Sequence, residues 1–561
     1  MNRLQSLQRL RSETFDVCVI GGGATGAGCA LDAQLRGLQT ALIEKEDFAA
    51  ETSGKSTKLV HGGVRYLEQA VKKLDWGQFR LVQKALKERK TMLDNAPYLA
   101  HPLALLTPCY TWWESWYYAT GLRLYDWIAG EANLLPSRRL SRRQALEQLP
   151  ALAAERLHGA VLYYDGQFDD ARYNVMLAKT ASEAGAAVAN HLQAIGFKKN
   201  SEGKLGAVTV RNRLTEEIFN IRADAFVNAA GPFADTLRQM ANPRVSPRVR
   251  MSKGAHVVLP REVMPGDTAL LIPKTDDGRV IFAIPWLDQL LVGTTDTEMP
   301  DSDGEGRPNE PVLLQEETDY LLGYLNRYLS VKVTADQVRS GFAGRRPLLQ
   351  ANPDANTKEL VRDHEVETDP VSGLFSIMGG KWTTYRLMAQ DTVDAVLTAL
   401  KKDRTTTRTT WHCLSGASDY APEGWKTLVS PAGIPAEVAR HWWSKYGTNA
   451  ARVAQLAREQ PGWLEPLVEG YPHRQAEVIY AVRHEMACTL RDVLARRLSL
   501  EVVDWQATMR ATRQTAALMR SELGWTAERE EAETNEYLAR LYRYQLMAGK
   551  TRMTEKPVVE T

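Results

Sequence analysis

Phe15-Asp-Val-Cys-Val-Ile-Gly-Gly-Gly-Ala-Thr-Gly26, answered by Glu44 further along, decides the fold. An apolar strand runs into a glycine turn and the turn opens a helix. Gly37 stands where a helix-ending residue belongs, and Leu38 to Ile43 rebuild an apolar strand that ends in Glu44. Gly21, Gly23 and Gly26 fit G-x-G-x-x-G. The first allows the tight turn, the second lets a pyrophosphate approach the backbone, and the third lets helix and strand pack closely. Ala24 and Thr25 open the helix, whose N–H groups and positive dipole suit that pyrophosphate. Glu44 is placed to accept a ribose hydroxyl pair, with Lys45 beside it. A carboxylate there disfavours a 2′-phosphate and so argues against NADP. The motif does not choose between NAD and FAD.

At 561 residues the chain is too long for one simple core, so two or three domains are expected. A net charge of +2 without long like-charge runs gives no footprint for nucleic acid. Five cysteines, odd in number and lacking C-x-x-C, offer neither a disulfide framework nor a metal cluster; buried thiols in a reducing compartment fit. No stretch reaches the roughly 18 apolar residues of a membrane span. Met1 to Thr14 is basic but has no apolar h-region, and it is short for a cleaved presequence. The expectation is a cytosolic protein, or one held at the cytosolic face of a membrane.

Outward from the opening motif, the expected division is a dinucleotide-binding segment over 14–75, then a mostly helical insertion over 76–150, a candidate membrane-facing element. A second dinucleotide segment over 151–240 and an antiparallel substrate domain over 241–345 follow. A third segment over 346–404 and a helical domain over 405–561 complete the chain. Phe79, Val82, Leu86 and Leu93 share a helical face. Tyr110-Thr-Trp-Trp-Glu-Ser-Trp-Tyr-Tyr118, continuing through Tyr125 and Trp127 with Arg123 and Arg138 to Arg143 nearby, suits a membrane interface; packing inside a helical subdomain or a dimer interface is the alternative. Asp277-Gly278 between two apolar runs signals a hairpin. Val478, Val482, Met486, Leu490, Leu494 and Leu498 recur every four residues and read as a helical core stripe.

Five stretches could carry chemistry. Thr52-Ser-Gly-Lys-Ser-Thr-Lys58, running into His61-Gly-Gly-Val-Arg-Tyr66, should lie beside the dinucleotide. Thr52, Ser53, Ser56, Thr57 and Lys58 offer polar contacts and Gly62 and Gly63 a close approach; a helix-capping loop is the competing reading for the serines. Ala225 to Pro232 brings an apolar strand into Ala230-Gly231, a second close approach to the cofactor. His256, entering an apolar strand, is a candidate base against the commoner role of a satisfied core histidine. Gly341-Phe-Ala-Gly-Arg-Arg-Pro347 and Gly379-Gly-Lys-Trp-Thr-Thr-Tyr-Arg386 place cations on glycine-led loops, suited to clamping a phosphate or carboxylate. Asp301, Asp303 and Glu305 imitate a calcium loop, but Val312 stands where a bidentate Glu belongs, so no metal is expected.

These stretches resemble the FAD-dependent, quinone-linked glycerol-3-phosphate dehydrogenases, over nearly the whole chain from about Phe15 to Leu500. The most specific matches are Ser56 to Leu67, Tyr164 to Arg172, Gly293-Thr-Thr-Asp296 and Gly379 to Arg386. Trp112 to Trp127 is similar to the mitochondrial-type branch. Gly54 departs from a frequent serine, and Arg345 adds a cation beside the expected Arg346.

The resemblance implies an α/β fold: a Rossmann-like FAD-binding domain of the glycine/D-amino-acid oxidase type, an antiparallel substrate sheet and a C-terminal helical domain. It implies oxidation of sn-glycerol 3-phosphate to dihydroxyacetone phosphate, with electrons passing to ubiquinone or menaquinone at a membrane surface. Arg346 and Lys381 would hold phosphate, helped by Arg65, Tyr66 and Thr295, with His256 as base. Gly380, Lys381 and Thr383 would join the FAD contacts. A homodimer is compatible with this reading. Dioxygen as acceptor, or an amine or amino-acid substrate, stays open.

Overall fold

The computed structural model describes residues 1–63, 76–299, 310–350, 364–403, 405–430 and 433–550. Two large sheets organise them. In the first, the path runs His364–Thr368, Phe375–Gly379, Ile218–Asn228, Thr14–Ile20, Thr40–Ile43, Ala187–Ala189. Thr14–Ile20 lies parallel to both neighbours, with Ile20 opposite Ile43 and Asn228. A parallel strand is covered on both faces, and Val17 to Ile20 are accordingly all buried. The helix Ala24–Leu35 follows at once, and its small residues Ala24, Ala27, Gly28 and Ala30 are buried. A Cβ at Gly28 would sit 2.9 Å from the Tyr385 ring, so helix Tyr385–Ala399 approaches as closely as glycine permits.

The second sheet is mostly antiparallel. Its path runs Thr297–Glu298, Val249–Pro260, Gln289–Gly293, Ile281–Trp286, Ala269–Ile272, Ala100–Cys109, Gly159–Phe168, Leu59–Val60, with Ser340–Leu349 also pairing on Val249–Pro260. The hairpin expected at Asp277-Gly278 is present: Leu270 faces Ala283, and Gly278 takes φ +78°. The sheet also draws strands from outside 241–345. Ala100–Cys109, in the stretch expected to be mostly helical, is a full strand, antiparallel to Gly159–Phe168 and parallel to Ala269–Ile272. Pro102 and Pro108 explain this, because a helix interior would lose a donor and clash at each. The rest of 76–150 is largely helical, as Trp76–Asn95, Trp112–Ala129 and Arg142–Gln148.

The region after residue 405 is helical, but the expected continuous stripe is broken. Helix Gln475–Glu485 stops at Met486, in the left-handed conformation, and a π-helical turn over Asp492–Arg497 follows. Asp492 imposes the restart by accepting the N–H groups of Cys488 at 2.8 Å and Thr489 at 3.0 Å. Met486, Leu490, Leu494 and Leu498 are still buried, so the core reading holds while the single-helix reading does not. Cys18, Cys29, Cys109 and Cys488 are buried free thiols, and Cys413 is exposed.

Candidate active site

The glycine turn and the end of strand Ile218–Asn228 face each other without side chains between them. Gly21 takes φ +116°, and a Cβ there would lie 2.5 Å from the Ala229 carbonyl oxygen. A Cβ on Gly26 would lie 1.8 Å from the Gly21 oxygen, which fixes glycine at the helix's third position. Gly231, φ +54°, turns the opposite wall away beyond Ala230. Gly23 begins the helix as a cap with no side chain, and Ala24 N–H donates to Ser53 Oγ at 2.9 Å. Glu44 Oε2 accepts from Gly22 N–H at 2.6 Å and Oε1 from Glu46 N–H at 2.8 Å. Burial pushes its carboxyl above the ordinary range, against the pull of those two N–H groups. Lys45 stands with Nζ 3.2 Å from the Phe233 ring centroid. Such a cradle fits a dinucleotide pyrophosphate and ribose.

The loop after it is held from below. Thr52 Oγ1 donates to the Arg345 carbonyl at 2.7 Å, and Ser53 O accepts Trp382 Nε1–H at 2.8 Å. Ser56 N–H and Lys58 Nζ both reach Asp170, at 2.9 and 2.6 Å. Lys58 is almost wholly buried, with Nζ near the Trp286 and Phe342 rings. Gly62 N–H donates to Tyr125 Oη at 2.7 Å, and a Cβ there would strike Leu86 and Tyr125. Gly63 takes φ +84°. Bonded to this loop, the next turn carries Gly380, φ +78°, against Met388; Lys381 leads into the turn Trp382–Thr384, and Thr383 Oγ1 accepts His61 N–H at 3.3 Å. Arg65 and Tyr66, expected at the substrate, lie outside the described residues, as does the acidic stretch 301–305.

On the antiparallel sheet, register separates the two adjacent arginines. Lys253 faces Arg345 and Ser252 faces Arg346, and consecutive side chains leave a strand on opposite faces. Arg345 is buried, with Nη1 donating to Glu51 Oε1 at 2.7 Å. The Arg346 side chain is 34 % exposed; Nη2 donates to Thr294 Oγ1 at 2.7 Å, and Nη1 to Asp296 Oδ1 and the Thr295 oxygen, both at 3.1 Å. Thr295, expected at the substrate, turns its hydroxyl inward instead: Oγ1 accepts Ala255 N–H at 2.9 Å and donates to Glu317 at 3.3 Å. Its carbonyl is what reaches Arg346, because Ala255 N–H and Glu317 claim the hydroxyl.

His256 is 2 % exposed, stacks on Phe342 at 4.7 Å, and sets Nε2 3.0 Å from Thr57 Oγ1. Nδ1 is buried and has no hydrogen-bond partner among the described residues. Burial, then the charges of Arg346 and Lys58, hold its pKa well below the ordinary histidine value, so the ring is neutral. The sequence reading missed Asp170, Trp382, Phe342, Thr294 and Asp296 as parts of this framework. Asp170, Thr294, Asp296 and Trp382 sat inside matched motifs, whereas Phe342 gave no signal beyond its place before the arginines.

A family model described as FAD dependent oxidoreductase matches residues 16–392, and one described as the C-terminal domain of alpha-glycerophosphate oxidase matches 407–530. The mitochondrial glycerol-3-phosphate dehydrogenase of Bos taurus is 41 % identical over 559 residues, covering 98 % of this chain and 76 % of its own. That of Arabidopsis thaliana is 41 % identical over 93 % of this chain and 85 % of its own. The crystal structure of glycerol-3-phosphate dehydrogenase from Bacillus halodurans, complexed with FAD, matches with a TM-score of 0.76 at 31 % identity, over 98 % of both chains. The dinucleotide that fits the glycine cradle is therefore FAD. Identity at this level from end to end, on a fold shared with the Bacillus enzyme throughout, places the chain in the FAD-dependent glycerol-3-phosphate dehydrogenase family.

Proposed function

We propose that this chain oxidises sn-glycerol 3-phosphate to dihydroxyacetone phosphate, and that it hands the electrons to a membrane quinone. The observation that carries the reading is the pairing of neutral, buried His256 with the half-exposed Arg346 on the same sheet. Arg346 is held along one edge by Thr294, Thr295 and Asp296, which fixes its fork for a phosphate. Lys381, with Arg65 and Tyr66, completes the phosphate contacts in this reading. Each charge-assisted hydrogen bond contributes about 1.5–3 kcal/mol, enough to fix the C2 carbon in one place.

His256 takes the C2 hydroxyl proton at Nε2, the ring nitrogen beside Thr57. FAD, when bound, supplies the two-electron acceptor for the C2 hydrogen. The residues proposed to hold it are Gly21, Gly23, Ala24, Thr25, Gly26, Glu44, Lys45, the 52–63 loop, Ala230, Gly231, Gly380, Lys381 and Thr383. Anaerobic mixing of the purified protein with sn-glycerol 3-phosphate tests the reading. Bleaching of the oxidised flavin band is expected; an unbleached band would overturn the substrate assignment.

Quinone is the proposed acceptor because the aromatic helix suits a lipid-soluble partner. Trp112, Trp113, Trp116 and Trp127 are 67, 55, 53 and 73 % exposed. The Arg139 guanidinium lies 4.3 Å from the Trp116 ring centre. Rings with polar edges beside arginines favour headgroup depth. Among the described residues no helix is long and apolar enough to cross a membrane. We therefore infer peripheral attachment, at the cytoplasmic face of an inner or plasma membrane. Reoxidation of the reduced enzyme by ubiquinone, faster than by air, is expected.

A further inference from the structure

Every residue proposed to hold FAD precedes position 405, yet the C-terminal helical domain reaches the cofactor's ribose end through buried charge. Asp47 is fully buried. Its Oδ2 accepts Arg496 Nε and Arg497 Nη1, each at 2.6 Å. Its Oδ1 accepts Arg497 Nη2 and Asn190 Nδ2, each at 2.9 Å. Arg496 also donates to Asp492 at 2.6 Å, and the other Asp492 oxygen lies 2.9 Å from His191 Nε2. Both arginines come from the π-helical turn that replaces the expected helix.

The partner of this cluster is the chain leaving Glu44. Glu46 N–H donates to Glu44 Oε1 at 2.8 Å, so the position of residue 46 orients the carboxylate. Backbone bonds hold the same chain from the other side: His191 N–H donates to Glu46 O at 2.6 Å and Leu192 N–H to Glu44 O at 2.7 Å. Cementing two domains needs no particular place, and a buried ion cluster is a costly cement because its charges lose water. This one sits three positions past the residue read as the ribose ligand. It pins Asp47, the residue after Glu46, bidentately through Arg497, the geometry that fixes orientation as well as distance.

We propose that Arg496 and Arg497, through Asp47, form a latch by which the C-terminal domain orients Glu44 and sets how tightly FAD is retained. All three are positioning residues, and the proposal rests on the reading of Glu44 as ribose ligand. Full-length Asp47→Asn keeps shape and the Asn190 side of the site, while Asp47→Asn/Arg497→Gln lowers the charge on both sides should the single variant misfold. The FAD dissociation constant is measured from flavin fluorescence on dilution, alongside kcat and KM at excess FAD and the melting temperature with and without FAD. A rise of tenfold or more in the dissociation constant is expected. The FAD-dependent melting shift should shrink, and kcat and KM at excess FAD should stay within twofold of the parent. A lower melting temperature with unchanged FAD affinity would reduce the cluster to domain cement. Glu44→Ala separates the two layers. If it leaves FAD affinity unchanged, the ribose reading fails; if it weakens FAD while the Asp47 variants do not, only the latch fails.

Discussion

Arg345 and Arg346 are chemically identical neighbours with opposite surroundings, and their substitution should separate accordingly. Arg346→Ala removes a fork proposed to make two charge-assisted bonds to phosphate, so kcat/KM for sn-glycerol 3-phosphate should drop by about 10²–10⁴, with FAD still bound. Arg345→Ala leaves Glu51 without its buried partner, and its signature should be lost stability and cofactor, seen by melting and flavin absorbance. Steady-state kinetics on both variants checks the pair, and an unaffected Arg346→Ala would remove that residue from the site. The sequence could not divide the arginines, because the facing of a strand residue depends on its register with Ser252, a partner about ninety residues away. It did find the pair of cations, but on a glycine-led loop, whereas the pairing of Ser340–Leu349 with Val249–Pro260 makes that stretch a strand. His256 carries a second expectation. Its depressed pKa keeps the base neutral, so kcat should show no histidine limb between pH 6 and 8. The quantity to follow is kcat, since a phosphate monoester itself ionises near pH 6. A kcat limb near 6.5, abolished in His256→Gln, would contradict the neutral ring.

At the scale of elements, the helix Trp112–Ala129 divides its aromatics by face. Tyr125 is buried, accepting Gly62 N–H and donating to Asp165 Oδ1 at 2.9 Å, while Trp112, Trp113 and Trp116 point outward. Replacing those three with Ser should leave the melting temperature within a few degrees, since exposed side chains contribute little to stability. It should release the protein from anionic liposomes in a sedimentation assay. Continued co-sedimentation of folded variant would refute the lipid reading, and a monomer formed from a parent dimer would assign the rings to a second copy. The sequence reading placed this stretch in a mostly helical region, and its start carries a signal that reading did not use, the capping box of Thr111 and Glu114. Two other elements were not. The strand Ala100–Cys109 has the mixed apolar character that periodicity alone cannot assign. The 478–498 stripe keeps a four-residue spacing through a break made by Asp492, a side-chain cap that no spacing rule detects.

At the scale of the molecule, the C-terminal domain and the cofactor domain are joined by charges that sequence reading had no means to pair. Arg172 and Glu485 are 313 positions apart, both fully buried, and bonded bidentately at 2.5 and 2.8 Å. Burial pushes the Glu485 carboxyl upward, but the Arg172 charge and hydrogen bonds outweigh it and hold the pKa below the ordinary 4.5. Folded Glu485 thus binds its proton less readily than unfolded Glu485. The pair's contribution to stability is complete above about pH 4.5 and is lost as pH falls through the folded value. Arg172→Met strands the carboxylate and should cost about 3–5 kcal/mol at pH 7. In that variant the charges of Arg497, at 3.9 Å, and Lys179 still act on the carboxylate, each more weakly than burial, so burial prevails and the sign reverses. Stability should then rise on acidification from pH 7 toward 5 as Glu485 takes a proton, while the parent's contribution from this group stays constant. The measured deficit between parent and variant must narrow across that range. Arg172→Met/Glu485→Leu, which buries no charge at the pair, should recover much of the loss and show no such narrowing. Urea unfolding at pH 7 and pH 5 decides the matter: an Arg172→Met deficit independent of pH would mean that lost packing against Tyr446, 4.8 Å from the guanidinium, is what joins the domains there.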